Sequence, residues 1–481
     1  MNANEKIGKS VVLKFVERVL AQILLFFLSI ILSRLLSPSD YGIYSISILY
    51  VVLIGNTITN GVYTIILQKK TMSDVEISSV ALGVTGVASL ITFLFFLVSP
   101  FLASFYGSYE LTSVFRVSSL LIVLIATNSV LTGLTYREMN FKISFYSNII
   151  SILASSAIGI YMAMKGMSYW SLIICELIRI LVLNIIMFIS FRKINWFQFS
   201  FKAIAPIYKE NNKFIGINLF INIIENLQSF IISRNYNADV LGNVSRGRSL
   251  PSMLSNPIVD TINNVLIPPL SANRTNQIEF KSLYRKAFTS FSLVSFPLMS
   301  LLLINSKDLI VLLYTEKWIG LTFFIKIFSI YYALKPINML VLDIYLSIEN
   351  NKMFIKVSKI SNILFIVFTV ISIPFGLKPF ILVSNLMYMI CVNIYSLFCM
   401  RRDFNYEYNE QYSDIFSFIL IIITSLLITQ IFELSGMNLL VRLIIRSSSF
   451  LVFYLIFVFL TKKVIFIESL KFIRNTFFKN K

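Results

Sequence analysis

Residues 33–42 read SRLLSPSDYG, and residues 233–242, at an offset of 200 positions, read SRNYNADVLG. The two stretches share Ser, Arg and Gly at their first, second and last positions, and serines at 45 and 245 extend the match. Each stretch follows one long apolar segment and precedes another. The pair therefore predicts a duplicated helix–turn–helix, with one copy in each half of the chain.

The apolar segment before each turn carries a stripe of polar residues. Steps of three, four and seven residues place each stripe on one helical face: Arg18, Gln22, Ser29 and Ser33 in the first copy, and Asn218, Asn222, Glu225, Ser229 and Ser233 in the second. A polar face at membrane depth is tolerated only against a cavity or a protein partner. Two such helices favour a transporter built from a duplicated bundle.

The composition is that of a polytopic membrane protein. Of the 481 residues, 57% are hydrophobic and only 14% are charged, and the mean hydropathy is +0.80. Soluble domains carry about 25% charged residues. The net charge of +19 is explained by Lys and Arg concentrated in alternate loops, as the positive-inside rule predicts, so nucleic-acid binding is not needed to account for it.

Apolar segments long enough to cross about 30 Å of hydrocarbon predict an all-α fold with fourteen transmembrane helices. We place them near 11–36, 42–67, 79–106, 111–136, 144–164, 169–191, 213–233, 246–271, 288–306, 320–347, 355–373, 378–400, 413–433 and 439–461. The even number and the charge bias predict that both termini are cytoplasmic. The predicted organisation is two pseudo-symmetric six-helix bundles plus two extra helices. Its parts are an N-terminal bundle (1–191), a cytoplasmic linker (192–212), a C-terminal bundle (213–400), two additional helices (401–462) and a basic cytoplasmic tail (463–481).

Charges inside membrane spans are costly, and those in the predicted spans are candidates for a substrate cavity. The predicted cavity residues are Arg18, Gln22, Asn218, Asn222, Glu225, Arg248, Asn256, Asp260 and Asn263, with Arg34, Arg234 and Arg246 at an outer gate. Alternatives stay open for several of them. Arg18 and Lys14 also fit cations that reach the inner interface, and Arg34 and Arg234 also fit cations near helix C-terminal carbonyls.

Prolines and acids refine this picture. Pro251 and Pro257 are expected to interrupt the eighth span, as in the broken helices of transporter sites. Ser39 or Asp40 is expected to cap the helix that follows the first turn.

Four acids have expected partners or roles. Glu17 is expected to neutralise Lys14 or Arg18. Glu176 is expected to pair with Arg179, and Glu433 with Arg442 or Arg446. Glu225 fits either a structural pair or the carrier of a coupling H⁺ or Na⁺.

Catalytic and cofactor motifs are missing from the sequence. It has no histidine, and its three cysteines, Cys175, Cys391 and Cys399, lie in apolar segments. No phosphate-binding glycine loop, metal-ligand cluster or catalytic dyad stands out. We therefore expect no cofactor other than a coupling ion, and no enzymatic activity. A membrane polymerase or ligase is the enzyme alternative, but it is expected to carry a substantial outer loop.

Several stretches resemble one known family. The segment 33–44 is similar to the first-helix-and-turn signature of Wzx-type polysaccharide flippases, the O-antigen and colanic-acid translocases of the multidrug/oligosaccharidyl-lipid/polysaccharide exporter superfamily. Further similar segments follow in the expected order up to about residue 350: 67–70, 241–247, 266–271, 296–299 and 312–318. The last four spans match only in number. Asn218 also departs from the pattern of the first half, which has Arg18 at the equivalent position.

The resemblance implies two six-helix bundles around a central cavity, in the cytoplasmic membrane. It implies movement of an undecaprenyl-pyrophosphate-linked oligosaccharide by alternating access, for O-antigen or lipopolysaccharide synthesis, possible cooperation with a polymerase and chain-length machinery, and no nucleic-acid partner. Arg18 and Arg248 fit the pyrophosphate, and the asparagines and Gln22 fit the sugars. A cation-coupled multidrug antiporter and a peptidoglycan lipid-precursor flippase of the same superfamily are the alternatives.

Overall fold

The computed structural model describes residues 3–59, 62–69, 72–431 and 437–461, and it describes their side chains except at 3–12, 64–65, 68, 203–218 and 260–266. The described residues form helices and connecting turns, without a β-strand. Twelve of the helical segments are long and apolar enough to cross a membrane. With the two 35-residue helices Phe201–Asn235 and Ala238–Ala272, the helices follow the positions of the predicted spans. The prediction of an all-α polytopic membrane protein is confirmed.

The chain divides into two compact units, Met1–Ser245 and Arg246–Lys481. Unit 1 contains α1 (Ala3–Leu35), α2 (Pro38–Thr59), α3 (Val62–Gln68), α4 (Asp74–Phe105), α5 (Glu110–Arg137), α6 (Phe141–Met164), α7 (Trp170–Ser190), α8 (Phe201–Asn235) and the first turns of α9 (Ala238–Ala272). The division at Ser245 differs from the domain boundaries predicted above, which stay a prediction.

Unit 2 contains the rest of α9, α10 (Gln277–Tyr314), α11 (Leu321–Ser347), α12 (Asn351–Ser372), α13 (Leu377–Leu382), α14 (Tyr388–Phe404), α15 (Tyr408–Gln411), α16 (Ser417–Gln430) and α17 (Leu439–Thr461). A π-helical turn, Val383–Met387, joins α13 to α14, and a second, Tyr412–Phe416, joins α15 to α16. Each of these pairs therefore forms one continuous span, Leu377–Phe404 and Tyr408–Gln430.

Local chemistry sets the ends of the helices. α4 begins with a capping box in which the Ser73 hydroxyl accepts from the Glu76 N–H and the Glu76 carboxylate accepts from the Ser73 N–H. Two residues beyond its end at Phe105 lies Gly107, whose φ of 68° is in the left-handed region. There the N–H of Ser108 donates to the carbonyl of Ala103, as in a Schellman motif. The turn is short because the capping satisfies the terminal backbone groups.

Small residues allow the helices of unit 1 to approach closely. Ser144, Ser147, Ser151 and Ser155 of α6 are buried at steps of three and four residues, and α6 packs against α1 and α7. At Gly159 on the same helix, an added Cβ would lie 2.9 Å from the Cβ of Cys175. Because lipid supplies little hydrophobic drive between helices, such close packing is a main source of their association.

Unit 2 contains an ionic cluster that holds the start of α10 to α15 and the following turn. Arg285 donates from Nε to Asp414 at 2.7 Å and from Nη1 to Glu410 at 3.0 Å, and Lys281 contacts Glu410 at 2.8 Å. Tyr406 donates its hydroxyl to Asp414. Burial, and next the charge of Asp414, raise the pKa of Tyr406, so its hydroxyl remains a hydrogen-bond donor.

Candidate functional site

The two copies of the turn begin their second helices in the same way. Ser37 precedes α2, and its hydroxyl accepts from the Asp40 N–H, while the Asp40 carboxylate accepts from the Ser37 N–H at 2.8 Å. In the other copy, Asn237 accepts from the Val240 N–H at 3.1 Å. Capping residues thus stand at 37 and 237. Ser39 was expected as one possible cap of α2, but Pro38 occupies the first helical position and the cap is Ser37. Asp40, the other expected residue, contributes the reciprocal acceptor.

The duplicated turns contact each other within unit 1. A Cβ built on Gly42 would lie 1.9 Å from the carbonyl oxygen of Ala238, and a Cβ built on Gly242 would lie 1.9 Å from that of Pro38. The contact is reciprocal, and only glycine permits such an approach of two backbones. Three residues beyond the glycines, the hydroxyl of Ser45 donates to that of Ser245 at 2.9 Å.

A set of hydroxyl and aromatic contacts lies beside these turns. Ser33 donates to the hydroxyl of Tyr41, and its counterpart Ser233 lies at hydrogen-bond distance from the hydroxyl of Tyr106, each at 3.3 Å. Tyr106 in turn bonds the hydroxyl of Tyr50 at 2.9 Å. The ring of Tyr50 meets four aromatic rings at centroid distances of 5.5 to 6.4 Å: Phe95, Tyr106, Phe115 and Phe230. The polar and aromatic contacts together connect α2, α4, α5 and α8.

The predicted gate arginines have separate surroundings. Arg34 is exposed in the last turn of α1. Arg234 lies over the ring of Phe105, 4.7 Å from its centroid, and Arg246 lies 5.1 Å from the centroid of Tyr314. The pairing of Arg34 with Arg234 at an outer gate stays a prediction. The membership of all three arginines in an outer gate stays a prediction as well.

On α1, the neighbouring charges Glu17 and Arg18 differ in burial. Glu17 is only 2% exposed, and its carboxylate contacts Lys14 at 2.8 Å and accepts from Ser144 and Asn148 of α6 at 3.1 Å. Glu17 therefore pairs with Lys14, one of the two cations that it was expected to neutralise. Arg18, one position further and about 100° around the helix, is exposed, and Gln22 on its side is half-buried.

The polar stripe of α8 is described in part. Asn222 is buried, and its Nδ2 atom has no hydrogen-bond partner in the part of the chain that the structure describes. Glu225 is exposed. The backbone of Asn218 belongs to α8, but its side chain lies outside the described residues. Gln228, which the sequence analysis did not select, is 1% exposed one turn beyond Glu225. Eight other buried side-chain atoms of the described residues share this property, so the assignment of Asn222 to a cavity stays a prediction.

The predicted residues of α9 fall in unit 2. Arg248 is half-buried, with its guanidinium 5.0 Å from the centroid of the Phe328 ring, and Asn256 is exposed. The side chains of Asp260 and Asn263 lie outside the described residues. The predicted interruption at the prolines is wrong, because α9 continues as a helix through all four of its prolines. Serine hydroxyls bond backbone carbonyls within this stretch, including that of Ser252 to Ser249 at 2.8 Å.

Two expected ion pairs have different outcomes. Glu176 and Arg179 pair on α7 as expected. Arg442 and Arg446 of α17 both bind the buried carboxylate of Asp308 on α10, from Arg442 Nε at 2.9 Å and Arg446 Nη1 at 3.0 Å. The expected partner, Glu433, lies outside the described residues. Asp308 was missed because the predicted span ended at 306, whereas α10 continues to Tyr314. Among the described residues, no group of three metal-ligating side chains occurs.

Comparison with known proteins identifies the family. The sequence model of a family described as polysaccharide biosynthesis proteins matches residues 31–323. The chain belongs to this family. The match includes the duplicated turns and all six stretches on which the predicted resemblance rests, and that resemblance is confirmed.

Two curated relatives of this family member match part of its length. The lipopolysaccharide biosynthesis protein WzxC of Escherichia coli is 21% identical over 60% of this chain and 59% of its own length. The succinoglycan biosynthesis transport protein ExoT of Rhizobium meliloti is 24% identical over 50% of this chain and 48% of its own. The alignments therefore span about half to three fifths of these relatives.

Solved structures share the fold. The lipid II flippase MurJ, in an inward closed conformation, superposes with a TM-score of 0.73 at 14% identity, over 93% of this chain and 99% of its own. An inward-facing multidrug resistance MATE transporter gives a TM-score of 0.61 at 12% identity, over 82% of this chain and 98% of its own. The smaller coverage of this chain by the MATE transporter agrees with extra helices beyond the MATE fold.

Proposed function

We propose that this protein is a flippase that moves an undecaprenyl-pyrophosphate-linked oligosaccharide across the cytoplasmic membrane by alternating access, for surface polysaccharide synthesis. It acts as a transporter and not as an enzyme. Family membership supports the general class. The names of WzxC and ExoT, a lipopolysaccharide biosynthesis protein and a succinoglycan transport protein, agree with it.

The observation that carries the proposal is the arrangement of charge on α1. Glu17, the nearest acid in the sequence to Arg18, is buried against α6 in contact with Lys14, Ser144 and Asn148. Arg18, the next residue, is exposed. A guanidinium at this depth suits a pyrophosphate, because it offers several N–H donors in a fixed plane. The proposal assigns Arg18 and Arg248 to the pyrophosphate.

Amide side chains supply the groups that an oligosaccharide needs. Gln22 is half-buried on the side of α1 that carries Arg18, and Asn222 is buried with an unsatisfied Nδ2 atom. Sugar hydroxyls donate and accept hydrogen bonds, and amides do the same. The proposal assigns sugar contacts to these two residues and to Asn218, Asn256 and Asn263, while the prenyl chain stays in lipid.

We assign the driving force for net transport to a gradient of H⁺ or Na⁺ across the membrane. Glu225 is the candidate coupling residue, because it is an exposed carboxylate in the middle of α8 and a carboxylate there is costly without a function. Asp260 is the second acid assigned to the cavity. The proposal also places both termini in the cytoplasm and the protein beside a polymerase and its chain-length machinery.

The test is made in the native cell with this gene deleted. We expect a complete pyrophosphate-linked repeat unit to accumulate in the extracted lipids while surface polysaccharide is lost, and the intact gene to restore both. Inverted vesicles then locate the accumulated lipid, because glycosidase reaches only the exposed leaflet.

The same experiment separates the alternatives. Accumulation of the peptidoglycan lipid precursor, with arrest of wall synthesis, would identify a peptidoglycan precursor flippase. Unchanged surface polysaccharide with new sensitivity to cationic drugs would identify a multidrug antiporter. The shared fold does not decide between them, because the MurJ and MATE structures both superpose on this chain.

A further inference from the structure

The outward side of α12 joins a basic end to an apolar surface. Lys352, Lys356 and Lys359 are spaced by four and three residues, so they share one face, and all three are exposed. Further along the same face come Ile363, Val367 and Val370, with exposed fractions of 47%, 41% and 52%. We call these six residues the α12 face.

The opposite side of α12 is the side that packs against unit 2. Val357, Ser361 and Thr369 are buried, and Phe365 and Phe368 pack on a cluster formed by Tyr388, Met389 and Val392 of the neighbouring span. The helix is therefore held from one side only. The α12 face is a surface of this unit, and its six side chains take no part in that cluster.

The three lysines of the α12 face can offer their charge to an external anion. None of them forms an ion pair with a carboxylate in the described ranges. The nearby acid Asp403 is bound by Arg402 at 2.6 Å and by the Tyr345 hydroxyl at 2.6 Å. Arg402 also reaches the sulfur of Met353 at 3.6 Å, which places a fourth cation beside the first turn of α12.

We propose that the α12 face is a binding site for an anionic phospholipid of the surrounding membrane. The phosphate of the lipid lies among the three lysines, and an acyl chain lies along Ile363, Val367 and Val370. The dimensions agree: Lys359 and Val370 are about 16 Å apart along the helix axis, which is about half the thickness of the hydrocarbon core.

Charge favours a bulk anionic lipid over a zwitterionic one. Basic clusters at the ends of membrane helices attract anionic head groups, and each lysine near the surface strengthens the attraction. The proposal commits to a bulk lipid, because the six residues of the face include no amide; the exposed Asn351 adjoins it at Lys352. The site does not depend on the proposed transport activity.

The experiment titrates the purified full chain with phosphatidylglycerol or phosphatidylcholine and counts bound lipids by native mass spectrometry. We expect phosphatidylglycerol to bind more tightly, and each Lys→Gln change to weaken it about fivefold. The triple variant K352Q/K356Q/K359Q should bind the two lipids alike. The matched control K142Q/K193Q/K286Q removes the same charge from exposed residues on other elements and should bind like the wild type.

Equal loss in the control would overturn the proposal, since the effect would then be one of net charge. Equal binding of both lipids by the wild type would overturn it as well. Preferential retention of an isoprenoid pyrophosphate by the same lysines would instead assign the face to the transported lipid. If the triple variant does not fold, the single variants and the charge-keeping K352R/K356R/K359R decide, because the latter should retain phosphatidylglycerol.

Discussion

The hydroxyl oxygens of Ser45 and Ser245 lie 2.9 Å apart, at positions that correspond in the two copies of the repeat. The duplicated turns thus form a contact with each other in this conformation. Alternating access requires that contacts on one side of a transporter open while those on the other close. The pair gives a direct probe of whether this contact opens.

We predict that Ser45→Cys with Ser245→Cys forms a disulfide in a chain whose three native cysteines are replaced. The bond should stop transport, and reduction should restore it, because the contact must separate in each cycle. Mobility on a non-reducing gel after cleavage between the two sites measures the bond, and Ser45→Cys alone is the control. Full transport by the oxidised double variant would show that the turns stay together.

Gly42→Ala should weaken the contact between the two turns, whereas the disulfide would lock it. The added methyl would lie 1.9 Å from the carbonyl oxygen of Ala238, so the two turns must move apart, at a cost of about 1–3 kcal/mol for overpacking. We expect a lower disulfide yield for the cysteine pair and reduced transport. Gly86→Ala is the control, since nothing lies within 4 Å of its added Cβ; equal behaviour of the two variants would contradict the prediction.

Arg18→Ala should abolish transport while membrane abundance stays normal, because the exposed guanidinium serves the substrate. Arg18→Lys should keep part of the activity, since it retains the charge but loses the planar donors. Repeat-unit export in the deleted strain is the measurement, and Arg192→Ala, which removes an exposed arginine just beyond α7, is the control. Wild-type export by Arg18→Ala would remove Arg18 from the cavity.

Glu225→Gln should reduce export and make the remainder insensitive to the H⁺ or Na⁺ gradient. The amide keeps the shape of the side chain but binds neither ion as a carboxylate does. Export into vesicles with each gradient imposed in turn is the measurement. A variant that still responds fully to both gradients would place the coupling site elsewhere.

Asp308→Asn should destabilise unit 2. The change leaves Arg442 and Arg446 without their carboxylate, and removal of one partner of a buried ion pair typically costs about 3–5 kcal/mol. A lower midpoint of thermal unfolding in detergent is the expected result. Glu316→Gln, an exposed acid at the same end of α10, should leave the midpoint unchanged; an equal drop in both would point to net charge instead of the ion pair.

The sequence predicted the spans and the repeat because both are one-dimensional patterns. Hydropathy places each helix, and an offset of 200 identifies corresponding positions. Neither pattern says which positions meet, so the contact of Gly42 with Ala238 and of Gly242 with Pro38 came from the structure. Cavity membership of Arg18 and Arg248 stays a prediction, because burial and ring contacts do not identify a ligand.

The prediction of ion pairs from the sequence has a similar limit. Glu17 and Lys14 lie three residues apart, so a helical period was enough to suggest their contact. Asp308 and its arginines lie on helices that are distant in sequence. The sequence therefore suggested Glu433 as the partner of Arg442, because Glu433 is the acid nearer in sequence. The partner Asp308 could be identified only from the packing of α17 on α10.

These two ion pairs also differ in when they can form during synthesis. Glu17 and Lys14 leave the ribosome together, so α1 enters the membrane with that carboxylate already neutralised. Asp308 is made 134 residues before Arg442, and α10 carries its acid without these counter-ions until α17 emerges. A chain that ends before Arg442 therefore leaves Asp308 without the two arginines that bind it in the complete unit. The half-lives of chains truncated before and after α17 would measure the effect of this loss, and equal half-lives would show that there is none.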